Sequence, residues 1–135
     1  MRQQIVGLLE ELNSVNNGYF VETDINDYVD KILKKAVLIE VDKSGILVGF
    51  IAYYANDIAS ETAYLTMLAV KPLYQNEGYG KHLLDLSIKD IRDKGFVKYG
   101  LEVLKNNFQA FKFYENQGFK TIKSRGDFLY MEKPL

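Results

Sequence analysis

Between Thr62 and Leu104 the period of the apolar residues changes twice, and this restricts the fold more than any other feature of the 135-residue chain. Thr62 to Val70 is a β-rich run halted by Lys71-Pro72, because proline has no N–H to give to a sheet ladder. After Gly80, the positions Leu83, Leu84, Ser87, Ile88 and Ile91 form one helical stripe, and Gly95 stands where a helix-ending glycine belongs. Tyr99 to Leu104 then reads as a strand again. A strand, a helix and a strand in that order require a parallel pair if both strands share one sheet.

The flanking segments add antiparallel pieces. Ile5, Leu8, Leu9 and Leu12 fall on one side of a helix. Ile25, Tyr28, Val29, Ile32, Leu33 and Ala36 do the same, with Thr23 or Asp24 placed to cap that helix. Val37 to Val41 and Ile46 to Ala55 are strands joined by the hairpin turn Asp42-Lys43-Ser44-Gly45. Asn107 to Gln117 reads as a short helix ended by Gly118. Thr121 to Ser124 and Phe128 to Glu132 form a closing hairpin turned at Arg125-Gly126-Asp127. No repeat or linker interrupts the chain. The expectation is a single α/β domain over residues 1–135, with a mixed, mostly antiparallel central sheet and flanking helices.

Composition removes several classes of function. Lysine and arginine number 17 against 18 aspartates and glutamates, so the formal charge of −1 offers no basic field to hold nucleic acid. The absence of cysteine rules out disulfides, thiolate metal sites and cysteine nucleophiles. A single histidine, His82, leaves no cluster for a metal, and no metal site is expected. The longest apolar run, Ile46 to Ala55, is too short to span a membrane, and Met1 to Asn17 lacks the unbroken apolar core of a signal peptide. A cytoplasmic protein without a membrane partner is the expectation.

The hexapeptide Gln75-Asn76-Glu77-Gly78-Tyr79-Gly80 follows a strand and opens a helix. The first turn of a helix has unpaired N–H groups and a partial positive charge, both suited to a phosphate. Glycines allow unusual backbone angles and close approach of a ligand, and Lys81 adds a formal charge. On the hexapeptide alone, a tight turn into a helix is the favoured reading. The nucleoside-triphosphate loop pattern fails because Gly80-Lys81 is followed by His82, not Ser or Thr. The dinucleotide fingerprint fails because Leu83 stands where its third glycine would be.

Read with its surroundings from Leu65 to Leu84, the loop resembles the acetyl-CoA motif of the GNAT acetyltransferases, Gln/Arg-x-x-Gly-x-Gly/Ala after a strand of Leu-x-Val type. Gln75, Gly78 and Gly80 occupy its defining positions. The resemblance implies that the backbone amides of Gln75, Asn76, Glu77, Gly78, Tyr79, Gly80 and Lys81 grip the CoA pyrophosphate. It also implies that the pantetheine arm pairs like an added strand with Leu68, Ala69 and Val70. A second block, Leu101-Glu102-Val103, Asn106-Asn107 and Phe113-Tyr114-Glu115-Asn116-Gln117-Gly118-Phe119, is similar to the family's Leu-Glu-Val, Asn and Tyr-Glu-x-x-Gly-Phe elements. It is most similar to the ribosomal-protein alanine N-acetyltransferase branch, where that glutamate is the base and that tyrosine the acid. The resemblance covers about residues 37 to 133. Before that, a helix stands where the family usually opens with a strand.

What the resemblance implies is an acetyl-CoA-dependent N-acetyltransferase acting on the primary amine of a small molecule. The alternatives are acetylation of a protein N-terminus and a non-catalytic CoA-binding regulatory module. A homodimer formed through the terminal strands is a further family expectation.

The chemistry explains the residue types. A protonated amine cannot attack a thioester, and an alkyl amine has a pKa of about 10, so a base must take a proton directly or through water. Glu102 is a carboxylate within an apolar strand whose neighbours Leu101 and Val103 face the other way. Its other reading is a half-exposed strand residue without chemical duty. Tyr114 is the candidate acid for the departing thiolate, or else an aromatic packed with Phe111 and Phe113. Proton transfer from a phenol near pKa 10 to a thiolate near 8.5 is uphill by about 2 kcal/mol, so hydrogen bonding to sulfur is the expected role. Asn107 either binds the pantetheine amides or caps the helix. His82 is read as solvent-facing or packing. Tyr53 and Tyr54 point to opposite sides of a strand, and core packing is expected of the two together, though one could border the acceptor pocket. Glu22, Asp24, Asp27 and Asp30 suit a helix start, although they could also draw a cationic amine.

Overall fold

The computed structural model describes residues 1–15 and 24–135. Thr23, the alternative helix cap, and Glu22 of the acidic run lie outside the described residues. The elements are α1 (Arg2–Val15), α2 (Ile25–Lys35), β1 (Val37–Lys43), β2 (Ile46–Tyr54), β3 (Thr62–Val70), α3 (Tyr79–Asp93), β4 (Lys98–Leu104), α4 (Phe108–Asn116), β5 (Lys120–Arg125) and β6 (Phe128–Pro134). Short 3-10 turns occupy Ile58–Ser60 and Pro72–Tyr74. The six strands form a mixed sheet in the order β1-β2-β3-β4-β6-β5. The predicted parallel pair is β3 with β4, while β1/β2, β4/β6 and β5/β6 are antiparallel. Contacts divide the chain into two compact units, Met1–Tyr53 with Met67–Ser87, and Tyr54–Thr66 with Ile88–Leu135.

In the first unit, the four apolar residues read on α1 are all buried. They cluster with Val29 and Ile32 of α2 and with Leu47, Phe50, Ala52 and Ala69 of the strands. Burying one such side chain contributes about 1.5–3 kcal/mol, so this stripe decides where α1 lies. Leu33, read as part of the apolar face of α2, is instead 40% exposed. Asp24 accepts from the Asp27 amide at 3.0 Å and caps α2. Asp30 receives the Arg2 guanidinium at 2.9 Å, linking α2 to α1. Both described ends of the acidic run are therefore engaged in structure. The β1–β2 hairpin turns on Ser44 and Gly45, both with positive φ, as a two-residue turn of the primed type requires. At Gly49 a Cβ would sit 2.6 Å from the Ala69 carbonyl oxygen, so only glycine lets β2 come this close to the end of β3.

In the second unit, β4 alternates in burial from Leu101 to Leu104. Tyr99, Leu101 and Val103 are buried with Phe96, Phe119 and Met131, while Glu102 lies on the opposite face beside its β6 partner Tyr130. Helix α4 ends as its glycine predicts. Gly118 has φ +96°, its amide donates to Glu115 O at 3.0 Å and the Phe119 amide to Tyr114 O at 3.0 Å, a Schellman arrangement. The same pattern ends α3 at Gly95, through Phe96 N to Ile91 O.

Candidate active site

The glycine loop belongs to the first unit. Asn76 and Gly78 both adopt positive φ, +64° and +89°, and Tyr79 opens α3. The first intrahelical bond runs from His82 N to Gly78 O at 3.0 Å, so the amides from Gly78 to Lys81 precede the helical ladder. Nothing lies within 4 Å of a Cβ built on Gly78. The glycine is required by the left-handed backbone and not by crowding within the protein. An open cradle of helix-first-turn amides fits a pyrophosphate on chemical grounds.

Side chains around the loop hold its shape. Gln75 Nε2 donates to Val70 O at 3.0 Å, binding the loop back to the strand that precedes it. The Tyr74 and Tyr79 rings meet edge to face at 6.1 Å, and Lys43 lies over Tyr74. Lys71 pairs with Glu11 of α1 at 2.6 Å. Lys81 is not an unengaged charge: its ammonium is 2.7 Å from Asp85, one turn on in α3. His82 is exposed, as read. The β3–β4 ladder joins Thr62–Tyr64 to Lys98–Gly100 only, and Leu68, Ala69 and Val70 take no part in it.

Glu102, Asn107 and Tyr114 belong to the second unit. Glu102 is partly buried and held on both carboxylate oxygens. Tyr64 donates to Oε1 at 3.2 Å, and the Arg125 guanidinium is 3.9 Å from Oε2. Arg125 also lies over the Tyr130 ring at 4.6 Å. Tyr130 donates to Glu132 at 2.8 Å. Its pKa is pushed up to about 12, first by burial and then by the hydrogen bond and charge of Glu132. None of Tyr64, Arg125, Tyr130 or Glu132 was marked by the sequence. Period-2 alternation could have placed each on a face, but pairing across 38 residues, as between Tyr64 and Glu102, needs the sheet register.

Tyr114 is set by the end of its helix. It is the residue whose carbonyl the Phe119 amide caps, and its ring packs on Phe119 at 5.6 Å and on Phe113 at 5.3 Å. Phe119 in turn meets Tyr99 at 5.9 Å on the buried face of β4. Tyr114 therefore adjoins the face of β4 opposite to Glu102. Burial pushes its phenol above the ordinary pKa, so the hydroxyl stays protonated at neutral pH as a donor. Asn107 Oδ1 accepts from the Ala110 amide at 3.1 Å and caps α4, which satisfies the capping reading. Tyr53 is core, whereas Tyr54 keeps some exposure with a buried hydroxyl that has no partner among the described residues.

The acetyltransferase (GNAT) family model matches residues 8–119, and the chain belongs to that family. Acetyl-CoA is the acetyl donor of GNAT acetyltransferases. The chain is 29% identical over 128 residues to the spermidine N(1)-acetyltransferase of Thermoplasma acidophilum, covering 86% of this chain and 80% of that one. It is 37% identical over 71 residues to the ribosomal protein bS18-alanine N-acetyltransferase of Haemophilus ducreyi. That match covers 53% of this chain and spans about half, 49%, of the relative's length. The crystal structure of the PaiA N-acetyltransferase of T. acidophilum, in complex with coenzyme A, shares the fold with a TM-score of 0.84 at 24% identity, over 99% of this chain and 92% of that one. Among the described residues no helix is long and apolar enough to cross a membrane, and no group of three or more histidines, cysteines and acids could hold a metal.

Proposed function

We propose that residues 1–135 work as one catalytic domain that transfers acetyl from acetyl-CoA to the primary amine of a small molecule. The observation that carries the reading is the open cradle of first-turn amides from Gly78 to Lys81, on a chain that the acetyltransferase (GNAT) family model matches over residues 8–119. The amides of Gln75 to Lys81 bind the pyrophosphate, and Leu68, Ala69 and Val70 offer backbone groups to the pantetheine. Bound CoA supplies an activated acetyl thioester.

Glu102 takes a proton from the attacking amine, directly or through water, as the new C–N bond forms and the C–S bond breaks. Tyr114 donates a hydrogen bond to the sulfur as it gains charge. Outright proton transfer was already uphill by about 2 kcal/mol for an ordinary phenol, and a raised pKa makes it more so. The donor role is therefore electrostatic, and the thiolate takes its proton from water.

A small amine is favoured as acceptor because the spermidine-acetylating relative aligns over 80% of its length. A protein N-terminus is the second reading, supported by the Leu101-Glu102-Val103 and Tyr114 blocks and by the 37% identity to the bS18-alanine enzyme. Thiol release from acetyl-CoA, measured with spermidine, glucosamine and a peptide beginning with alanine, separates the readings. Spermidine or glucosamine is expected to be fastest. Preference for the peptide selects the second reading, and tight CoA binding with no accelerated release for any acceptor selects a regulatory module.

A further inference from the structure

On the face of β4 that carries Glu102, two tyrosines reach the strand from its two neighbours. Tyr64 comes from β3, where its register partner is Gly100, and donates to Glu102 Oε1 at 3.2 Å. Tyr130 comes from β6, directly opposite Glu102, and its hydroxyl lies where a Cβ on residue 100 would be. Gly100 thus keeps the surface between them low enough for a phenol to lie there. Tyr64 and Gly100 are the last pair of the parallel β3–β4 ladder, and Glu102 lies two residues further along β4, within reach of the tyrosine hydroxyl.

The two partners of Glu102 differ in weight. Arg125 is 46% exposed and 3.9 Å away, a distance and exposure at which an ion pair contributes little. Tyr64 is partly buried and within hydrogen-bond distance. A glutamate on a strand surface has three rotatable bonds to order, and it accepts a proton efficiently only when its oxygen is already aimed.

We propose that Tyr64 is a positioning residue for acetyl transfer: its hydroxyl fixes the Glu102 carboxylate in the orientation that receives the amine proton. The inference rests on the reading of Glu102 as proton acceptor and adds the residue that makes an ordinary strand carboxylate usable. Nothing in the glycine loop or the Tyr114 block specifies it.

The test is a double-mutant cycle on the intact protein, with acetyl-CoA and whichever of spermidine, glucosamine or the alanine peptide is fastest. Tyr64→Phe keeps the ring and is expected to lower kcat about tenfold, the effect of one hydrogen bond to a charged group. The CoA dissociation constant and the melting temperature should be unchanged. Glu102→Gln should be slower still, and adding Tyr64→Phe to it should cost less than about twofold more, because the two act as a unit. A wild-type kcat in Tyr64→Phe beside a slow Glu102→Gln overturns the positioning role and leaves the base intact. A wild-type kcat in Glu102→Gln overturns the base and the positioning role with it. A full tenfold loss in both backgrounds shows that Tyr64 acts other than through Glu102, and overturns the proposal.

Discussion

In the proposed reaction, the glycine loop and the Glu102–Tyr114 region act in opposite ways. The groups the loop would use are backbone amides, and the sequence specifies them through the residues that set φ, Asn76 and Gly78. Around β4 and α4 the groups proposed to act are side chains, and each depends on neighbours that come from other elements: Tyr64 and Arg125 for Glu102, Phe119 for Tyr114. A backbone site tolerates exchange of most of its side chains but not of its dihedral angles. A side-chain site tolerates little exchange at the chemical group and depends on packing around it.

The largest expected effect is at Tyr114. Tyr114→Phe keeps the ring contacts with Phe113 and Phe119, so the fold should hold, while the hydroxyl proposed to meet the leaving sulfur is removed. Losing one preorganised donor costs about 10²–10³-fold, expected in kcat and not in KM, since the contact strengthens only as sulfur gains charge. Steady-state kinetics checks it. A kcat within about threefold of wild type would make Tyr114 a packing residue and erase half of the contrast.

The loop should break next. Gly78 sits at φ +89°, where a β-branched residue is strained by about 1–2 kcal/mol, so Gly78→Val is expected to weaken CoA binding at least about tenfold. The strain also means some loss of stability, although the space around a Cβ there is open. Glu77→Ala, one position earlier, should leave CoA affinity within about twofold, because its amide stays. Calorimetric titration of both variants with CoA sharpens the comparison. An equal loss in both would mean that side chains carry the loop after all.

Asn107 gives the smallest effect. Because its side chain caps α4 at Ala110, Asn107→Ala should lower stability by about 1 kcal/mol and leave CoA affinity unchanged. Denaturant melts and the same titration check it. A large loss of affinity would move Asn107 from the helix terminus into the CoA site.

The same contrast explains what the sequence made legible. Period and punctuation are local, and they gave the ten elements in order, both bounds of β3 and all four buried residues of α1, but they assigned Asp42 and Lys43 to the hairpin turn where the ladder runs on through them to leave Ser44 and Gly45. They misjudged Leu33, because a helical stripe has an edge whose exposure depends on what packs against it. The loop was legible because positive φ leaves glycine as its trace. Tyr64, Tyr130, Glu132 and Arg125 were not, because they gather around Glu102 only through strand register, which no stretch of β3, β4 or β6 states by itself.

The ending of α4 carries a consequence for how this chain would respond to a mutational scan. The hydrogen bond that terminates the helix is accepted by the carbonyl of Tyr114 itself, and the residue donating it, Phe119, supplies the ring on which the phenol rests. The stop signal and the mount of the donor are thus one part. Gly118, left-handed at φ +96°, holds that part together through its backbone conformation. A scan scored by activity would rank Gly118 beside Tyr114, and a reader of that scan would assign glycine a chemical duty. The expected duty is mechanical, because Tyr114, Gly118 and Phe119 form one structural unit at the end of α4.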